Sequence, residues 1–386
     1  MAPSATIVEC HLPRRVVTGR GAARSAVDIC RAAGWQRVFV VGDAGVAAAG
    51  LLARVADPLA AARMLVGTVA DVPAEPPFDA VDALSARIVA AAADAVIGVG
   101  GGSVMDATKV AAVVAAHGGR AADRAGIGRV GRRGLPTVLV PTTAGTGSEA
   151  TRIAILTDQT NGTKVGVVDP ALLPEVAVVD PALTDDLPPH VTAAAGMDAL
   201  VHSIEAYTAR VATPLARGLA LEAAHGIGAA LERVCRAPED TEARDTMAVS
   251  AHLAGIAFND SSCCAVHALA LPLGGRVHLP HGVITGSFVG AVARFNAPAS
   301  AVDQTALAVA LGWGPLAPAA FADRLDRLAE SIGLLATLRA TPVPAATVPA
   351  LARDAVANRR LMDPNPRAMT TDDAEAIYRE VLAIVP

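Results

Sequence analysis

The chain has 386 residues, 53% of them hydrophobic, enough to bury a large core and, by length, to fill two domains. Aromatic residues make up 3% and charged residues 18%, so the core must rest on Ala, Val and Leu, with Ala-rich helices. The formal net charge of -5 offers no broad positive field to phosphate backbones or anionic lipid, which argues against nucleic acid as a partner; Arg129, Arg132 and Arg133 read as a solvated basic loop.

The five cysteines, Cys10, Cys30, Cys235, Cys263 and Cys264, are odd in number and contain no C-x-x-C pair. That excludes a disulfide framework and a zinc ribbon and fits a reducing, cytoplasmic setting. Charged residues from Glu9 to Asp28 interrupt any leader-like apolar stretch, and no unbroken apolar run reaches about 18 residues, so neither a secretory signal nor a membrane span is expected.

In chain order, apolar β-branched runs at 37–41, 94–99, 137–140 and 176–179 alternate with Ala-rich stretches, the βαβ rhythm of a parallel sheet covered by helices. Beyond Pro188 the pattern turns to long helical stretches at 191–210, 214–236 and 245–257. The expected division is an α/β dinucleotide-binding domain over 1–188 and an all-α domain over 189–386, with proline turns clustered at the change and the active site in the cleft between them. The Ala/Pro-rich stretch 340–349 reads as a loop between late helices.

The segment DAVIGVGGGSVMDATK (94–109) is an apolar strand running through Gly100, Gly101, Gly102 and Ser103 into an amphipathic helix. Such a loop lets backbone N–H groups and a helix N-terminus approach a phosphate, or it is simply a tight strand-to-helix turn. It lacks the Gly-Lys-Ser/Thr of a P-loop, and the first strand leads into Gly42, Asp43, Ala44 and Gly45 instead of G-x-G-x-x-G. A second Gly/Thr loop, PTTAGTGSE (141–149), follows the next strand, so the two loops would grip one dinucleotide. Asp43 stands where a carboxylate accepts ribose hydroxyls and repels a 2′-phosphate, favouring NAD over NADP; the alternative is an ordinary turn aspartate.

GMDALVHSIEAY (196–207) puts Asp198 and His202 four apart on one helix face, and His267 and His281 flank an LPLGG turn fourteen residues apart. One carboxylate and three imidazoles suit a borderline divalent ion with positions left open for an alcohol oxygen, although each residue singly also reads as a surface pair or a satisfied core histidine.

In order and spacing, GGGSVMDATK, PTTAGTGSEAT, GMDALVHSIEAY and VHALALPLGGRVHLPHG resemble the iron-containing (group III) alcohol dehydrogenase family, a likeness that extends to Asn365-Pro366-Arg367. The resemblance implies a two-domain dehydroquinate-synthase-like fold, a nicotinamide cofactor in the cleft, and Fe²⁺, sometimes Zn²⁺, on Asp198, His202, His267 and His281, with His267 and His281 carrying catalysis. It implies cofactor contacts from Asp43, Gly100, Gly101, Gly102, Ser103, Asp106, Thr142, Thr143 and Thr146, with Lys164 near the nicotinamide ribose. It further implies a small alcohol or aldehyde as substrate and a homodimer or larger assembly. Two positions depart from the pattern: Leu271 stands where many members carry a polar residue, often His, which puts a proton relay there in doubt and leaves His278 as a stand-in or a loop histidine; and Cys263-Cys264 replaces small residues.

Three other readings stay open. Arg152 or Arg276 would recognise a carboxylate or phosphonate on an acidic aldehyde. A dehydroquinate-synthase-like lyase would keep its NAD but needs a basic pocket, which these apolar ligand helices do not suggest. A non-catalytic dinucleotide sensor would not need all four metal ligands.

Overall fold

A computed structural model of the chain describes residues 9–160, 162–277 and 279–385; His278 lies outside them. The first half holds β1 (Arg15–Thr18), β2 (Val38–Val41), β3 (Leu65–Val69), β4 (Ala95–Gly100), β5 (Thr137–Pro141), the hairpin β6 (Ile153–Asp158) and β7 (Thr163–Val168), and β8 (Val176–Val179). Six of these form one parallel sheet in the order β1-β8-β5-β4-β2-β3. Every residue of β2, β4, β5 and β8 is buried, as in a parallel sheet covered on both faces.

The chain runs from β2 out to β3 and then returns past β2 to β4. The order therefore reverses between β2 and β4, and the loops leaving the carboxyl ends of these two strands open side by side, where α/β sheets take their ligands. The runs expected at 37–41, 94–99, 137–140 and 176–179 all become strands of this sheet. Local sequence does not announce β1, β3 or the hairpin. β1 is a short exposed edge, β3 is interrupted by Gly67, and β6 and β7 exist because they pair antiparallel from Ile153–Val168 to Asp158–Thr163.

The first half also supplies α1 (Gly102–His117), directly after β4. Beyond Pro188 come α2 (Pro189–Thr208), α3 (Pro214–Arg236), α4 (Thr241–Ser261), α5 (Ala265–Val277) and α6 (His281–Ala310), the last kinked at Ser300. α4 begins ahead of the expected 245 because the Asp240 carboxylate accepts the Ala243 N–H and caps the helix there. Within 340–349, expected as a loop, Val343–Pro344 pairs in parallel with Ile384–Val385 and a helix starts at Val348. Among the described residues no single helix is long and apolar enough to cross a membrane.

α2 is the axis of the helical half. Between Thr192 and Tyr207 only Ala195 escapes burial, and α3, α4 and α6 pack around it. Its charged residues are therefore inside the protein. α6 starts hard against it: a Cβ on Gly282 would lie 2.0 Å from the Ala194 carbonyl oxygen, so only glycine lets the two backbones meet. Gly282→Ala should push the start of α6 off α2 and destabilise the protein by about 1–3 kcal/mol, read from the urea midpoint at constant m-value. An unchanged midpoint would show that the helices absorb the methyl group without moving.

Candidate metal and dinucleotide site

Asp198, His202 and Glu205 leave the same face of α2, His267 comes from the first turn of α5, and His281 opens α6. Their tips converge. The Asp198 Oδ1 atom lies 3.7 Å from His267 Nε2 and 3.9 Å from His281 Nε2, and Oδ2 lies 4.0 Å from His202 Nε2. The donor atoms of Asp198, His267 and His281 all sit within 4.8 Å of one another, as do those of His202, Cys263 and His267. Asp198, His202 and His267 are buried, whereas a third of the His281 side chain is exposed, so the cluster opens on that side.

The hydrogen bonds behind the cluster decide what it can hold. His267 Nδ1 is 2.6 Å from Glu205 Oε2, and His202 Nδ1 is 3.3 Å from the Gly145 carbonyl oxygen. Both partners accept only, so each Nδ1 carries the proton and each Nε2 presents a lone pair. Yet the two Nε2 atoms face each other at 3.1 Å. With both rings neutral, two lone pairs would meet at that separation beside a carboxylate, so either a proton or a metal cation must lie between them. A divalent ion fits this donor set of one oxygen and three nitrogens. Thr285 Oγ1 donates to Asp198 Oδ1 at 2.9 Å and the Val266 N–H donates to Glu205 Oε1 at 2.7 Å, which fixes the two carboxylates.

The charges are strongly coupled. Burial disfavours ionised Asp198, but the three imidazoles hold its pKa below the ordinary carboxylate value. Burial likewise disfavours a charged His267, but Cys263 and Glu205 raise its pKa well above the usual histidine value. The Cys263 thiol, which burial alone would raise, is brought down to about 7 by His267 and His202.

The glycine loop after β4 faces this cluster across a cavity of about 620 Å³. Gly102, Ser103, Asp106, Thr146, Lys164 and all four metal-type residues line it. Asp43, Gly100, Gly101, Thr142 and Thr143 do not; they lie around the strand ends behind it. Gly101 has ordinary φ, and a Cβ there would meet nothing closer than Thr143 at 3.8 Å, so the fold itself does not demand glycine at this position. Thr143 Oγ1 is buried without a hydrogen-bond partner among the described residues, a further sign that this loop is completed by a bound group. Asp43 caps the short helix after β2 by accepting the Val46 N–H at 2.8 Å.

Asp106 holds the two loops in register. Its oxygens accept from Ser148 Oγ at 2.6 Å and from the Ile155 N–H at 2.8 Å, and fully buried Lys109 lies 3.3 Å away while donating to the Ser148 and Ile153 carbonyls. Arg152 and Arg276 are not at the cavity. Arg152 points to His11 and Asp260, and Arg276 pairs loosely with Asp354 at 3.9 Å, so neither is placed to meet a substrate. Leu271 does line the cavity, so no titratable side chain stands at that position.

Residues 13–181 match the family described as iron-containing alcohol dehydrogenase, and residues 192–382 match its C-terminal domain. The chain belongs to the iron-containing alcohol dehydrogenase family. It is 36% identical to long-chain-alcohol dehydrogenase 1 of Geobacillus thermodenitrificans, over 95% of this chain and 94% of the relative. It is 33% identical to the NAD-dependent methanol dehydrogenase of Bacillus methanolicus, over 96% and 99%. It superposes with a TM-score of 0.90 and 29% identity on the sulfoacetaldehyde reductase of Bifidobacterium kashiwanohense in complex with NAD⁺, covering 98% of this chain and 99% of that one.

For this iron-containing alcohol dehydrogenase, residue patterns alone left out Glu205, Thr285, Lys109 and Ser148. Glu205 was the accessible one: it stands three residues after His202 in an otherwise apolar helix, where an unpaired charge is costly. Glu205→Gln should leave the His267 tautomer unfixed and weaken divalent-metal retention about 10- to 100-fold, measured by competition against a chelator. Retention equal to the parent enzyme would make Glu205 a packing residue.

Proposed function

We propose that this chain is an NAD-linked, metal-dependent alcohol/aldehyde oxidoreductase in which Asp198, His202, His267 and His281 hold Fe²⁺ or Zn²⁺. The observation that carries the reading is the single cavity that joins Gly102, Ser103 and Thr146 at one side to the four-donor cluster at the other. A bound ion supplies Lewis acidity toward a carbonyl or alcohol oxygen, and the nicotinamide supplies or accepts the hydride.

The chain's own residues set the stage for that chemistry. Glu205 and the Gly145 carbonyl aim the Nε2 lone pairs of His267 and His202 inward. His281, the most exposed of the four, borders the space a substrate enters. Lys164, paired with Glu75 at 2.5 Å, lies on the cavity wall in reach of the cofactor's ribose side. The Gly100–Ser103 loop and the start of α1 present N–H groups to the pyrophosphate, Thr142, Thr143 and Thr146 face it from the second loop, and Asp43 selects the unphosphorylated ribose. Phe258 stacks on His202, with ring centroids 4.2 Å apart, and Leu271 and Leu279 help exclude water.

We further place the domain division at 188/189 and the enzyme in the cytoplasm as a dimer or larger assembly. The exposed edge strand β1, with Val16 42% exposed, supports an association surface.

The test is NADH oxidation across short aldehydes after metal reconstitution. His267→Ala should lower turnover by roughly 10³-fold while NADH still binds, since the lost electrostatic stabilisation is several kcal/mol. Normal rates in that variant, or in metal-stripped enzyme, would reduce the ion to a structural part at most. Turnover without net NADH consumption would point to the lyase reading.

A further inference from the structure

Among the described residues, two basic side chains other than histidine line the cavity, Lys164 and Arg360. Lys164 is neutralised by Glu75. Arg360 is different. It sits on the short helical turn Arg359–Met362, which packs against α5, the helix that carries His267. It is partly buried, yet no hydrogen bond and no ion pair reaches its guanidinium among the described residues, whereas its neighbour Arg359 pairs with Asp363. The Cys263 thiol, which lines the same cavity at the rim of the metal cluster, is no substitute for a carboxylate. One sulfur cannot satisfy five N–H donors.

A partly buried, permanently charged arginine without a carboxylate partner is costly in a finished protein and sensible in a binding site, where the partner arrives with the ligand. The position of Arg360 decides which ligand. The phosphates of the dinucleotide belong at Gly100–Ser103, on the sheet side, while Arg360 shares its stretch of wall with Cys263, Leu271 and Leu361 on the helical side, where the substrate's non-reacting end would lie. We propose that Arg360 is the specificity residue of this enzyme and that its substrate is a short aldehyde or alcohol carrying an oxyanion, a carboxylate, sulfonate or phosphonate, which the guanidinium fork binds while the carbonyl faces the metal cluster. This rests on the oxidoreductase reading above and adds the substrate class. It also relocates acid recognition from Arg152 and Arg276, the arginines that residue patterns suggest, to one that only the fold brings to the cavity.

The test uses the metal-loaded enzyme with NADH. Propanal is compared with aldehydes of similar length ending in carboxylate, sulfonate or phosphonate, and propionate, ethanesulfonate and ethylphosphonate are titrated calorimetrically as dead-end ligands. At least one acidic aldehyde should exceed propanal in kcat/KM by roughly 10- to 100-fold, the worth of a charge-assisted hydrogen-bond pair, and the ranking of the three series identifies the oxyanion. Arg360→Ala should erase that ratio through KM and abolish the matching calorimetric signal, and Arg360→Lys should recover part of both. The proposal is overturned if the parent enzyme shows no preference for any acidic aldehyde, if Arg360→Ala lowers propanal and acidic aldehydes equally, or if anion binding survives in that variant. Should the parent enzyme reduce no aldehyde at all, propanal included, the oxidoreductase reading fails instead, while calorimetry still reports on Arg360 independently.

Discussion

The structure turns on a repulsion that must be relieved. Two imidazole nitrogens, each left with a lone pair because its ring partner is tied to an acceptor, face each other at 3.1 Å beside the Asp198 carboxylate. Burying such a group without compensation is expensive. A shared proton or a divalent ion would relieve the conflict, and the packing of the helical half keeps these donors facing one another. α2 is wrapped by α3, α4 and α6, Thr285 and Glu205 brace the donors, and Gly282 lets α6 approach closely enough for His281 to join.

The sheet side is organised by a different constraint, the need to hold two adjacent strand-end loops at a fixed separation. The Thr142 N–H bonds the Gly100 carbonyl, and Asp106, Lys109 and Ser148 form a buried strut that ties α1 to the loop after β5. Buried Glu149, paired with His252 of α4 at 3.0 Å, fastens that same loop to the helical half. One loop thus carries both Thr146, on the glycine-loop side of the cavity, and the Gly145 carbonyl that orients His202, so a single segment ties the two sides of the cavity together.

Specificity then falls to what remains of the wall. Ile153, Ile155, Leu271, Leu279 and Leu361 give it an apolar share, which suits a short carbon chain. Arg360, without a partner among the described residues, supplies a point where a charged group would be distinguished from a neutral one. A site with a dedicated charge discriminates far more sharply than an apolar slot alone, because the wrong substrate leaves the guanidinium unpaired.

The sequence alone carried the parallel sheet, the shift to helices near Pro188, both Gly/Thr loops and the four side chains that converge at the cavity, because each rests on short-range pattern: alternation of apolar runs, glycine spacing, and an i, i+4 pair in an apolar helix. The edge strands and the β6–β7 hairpin were illegible, since pairing partners rather than local composition create them. The same holds for the residues that act at a distance in the chain. Glu205 meets His267 across 62 positions, and Arg360 reaches the rim of the metal cluster from a turn near the carboxyl end; no spacing rule encodes either contact. Tertiary packing alone decided which arginine faces the substrate, because charge is visible in a sequence but the absence of a partner for it is a property of the folded surroundings.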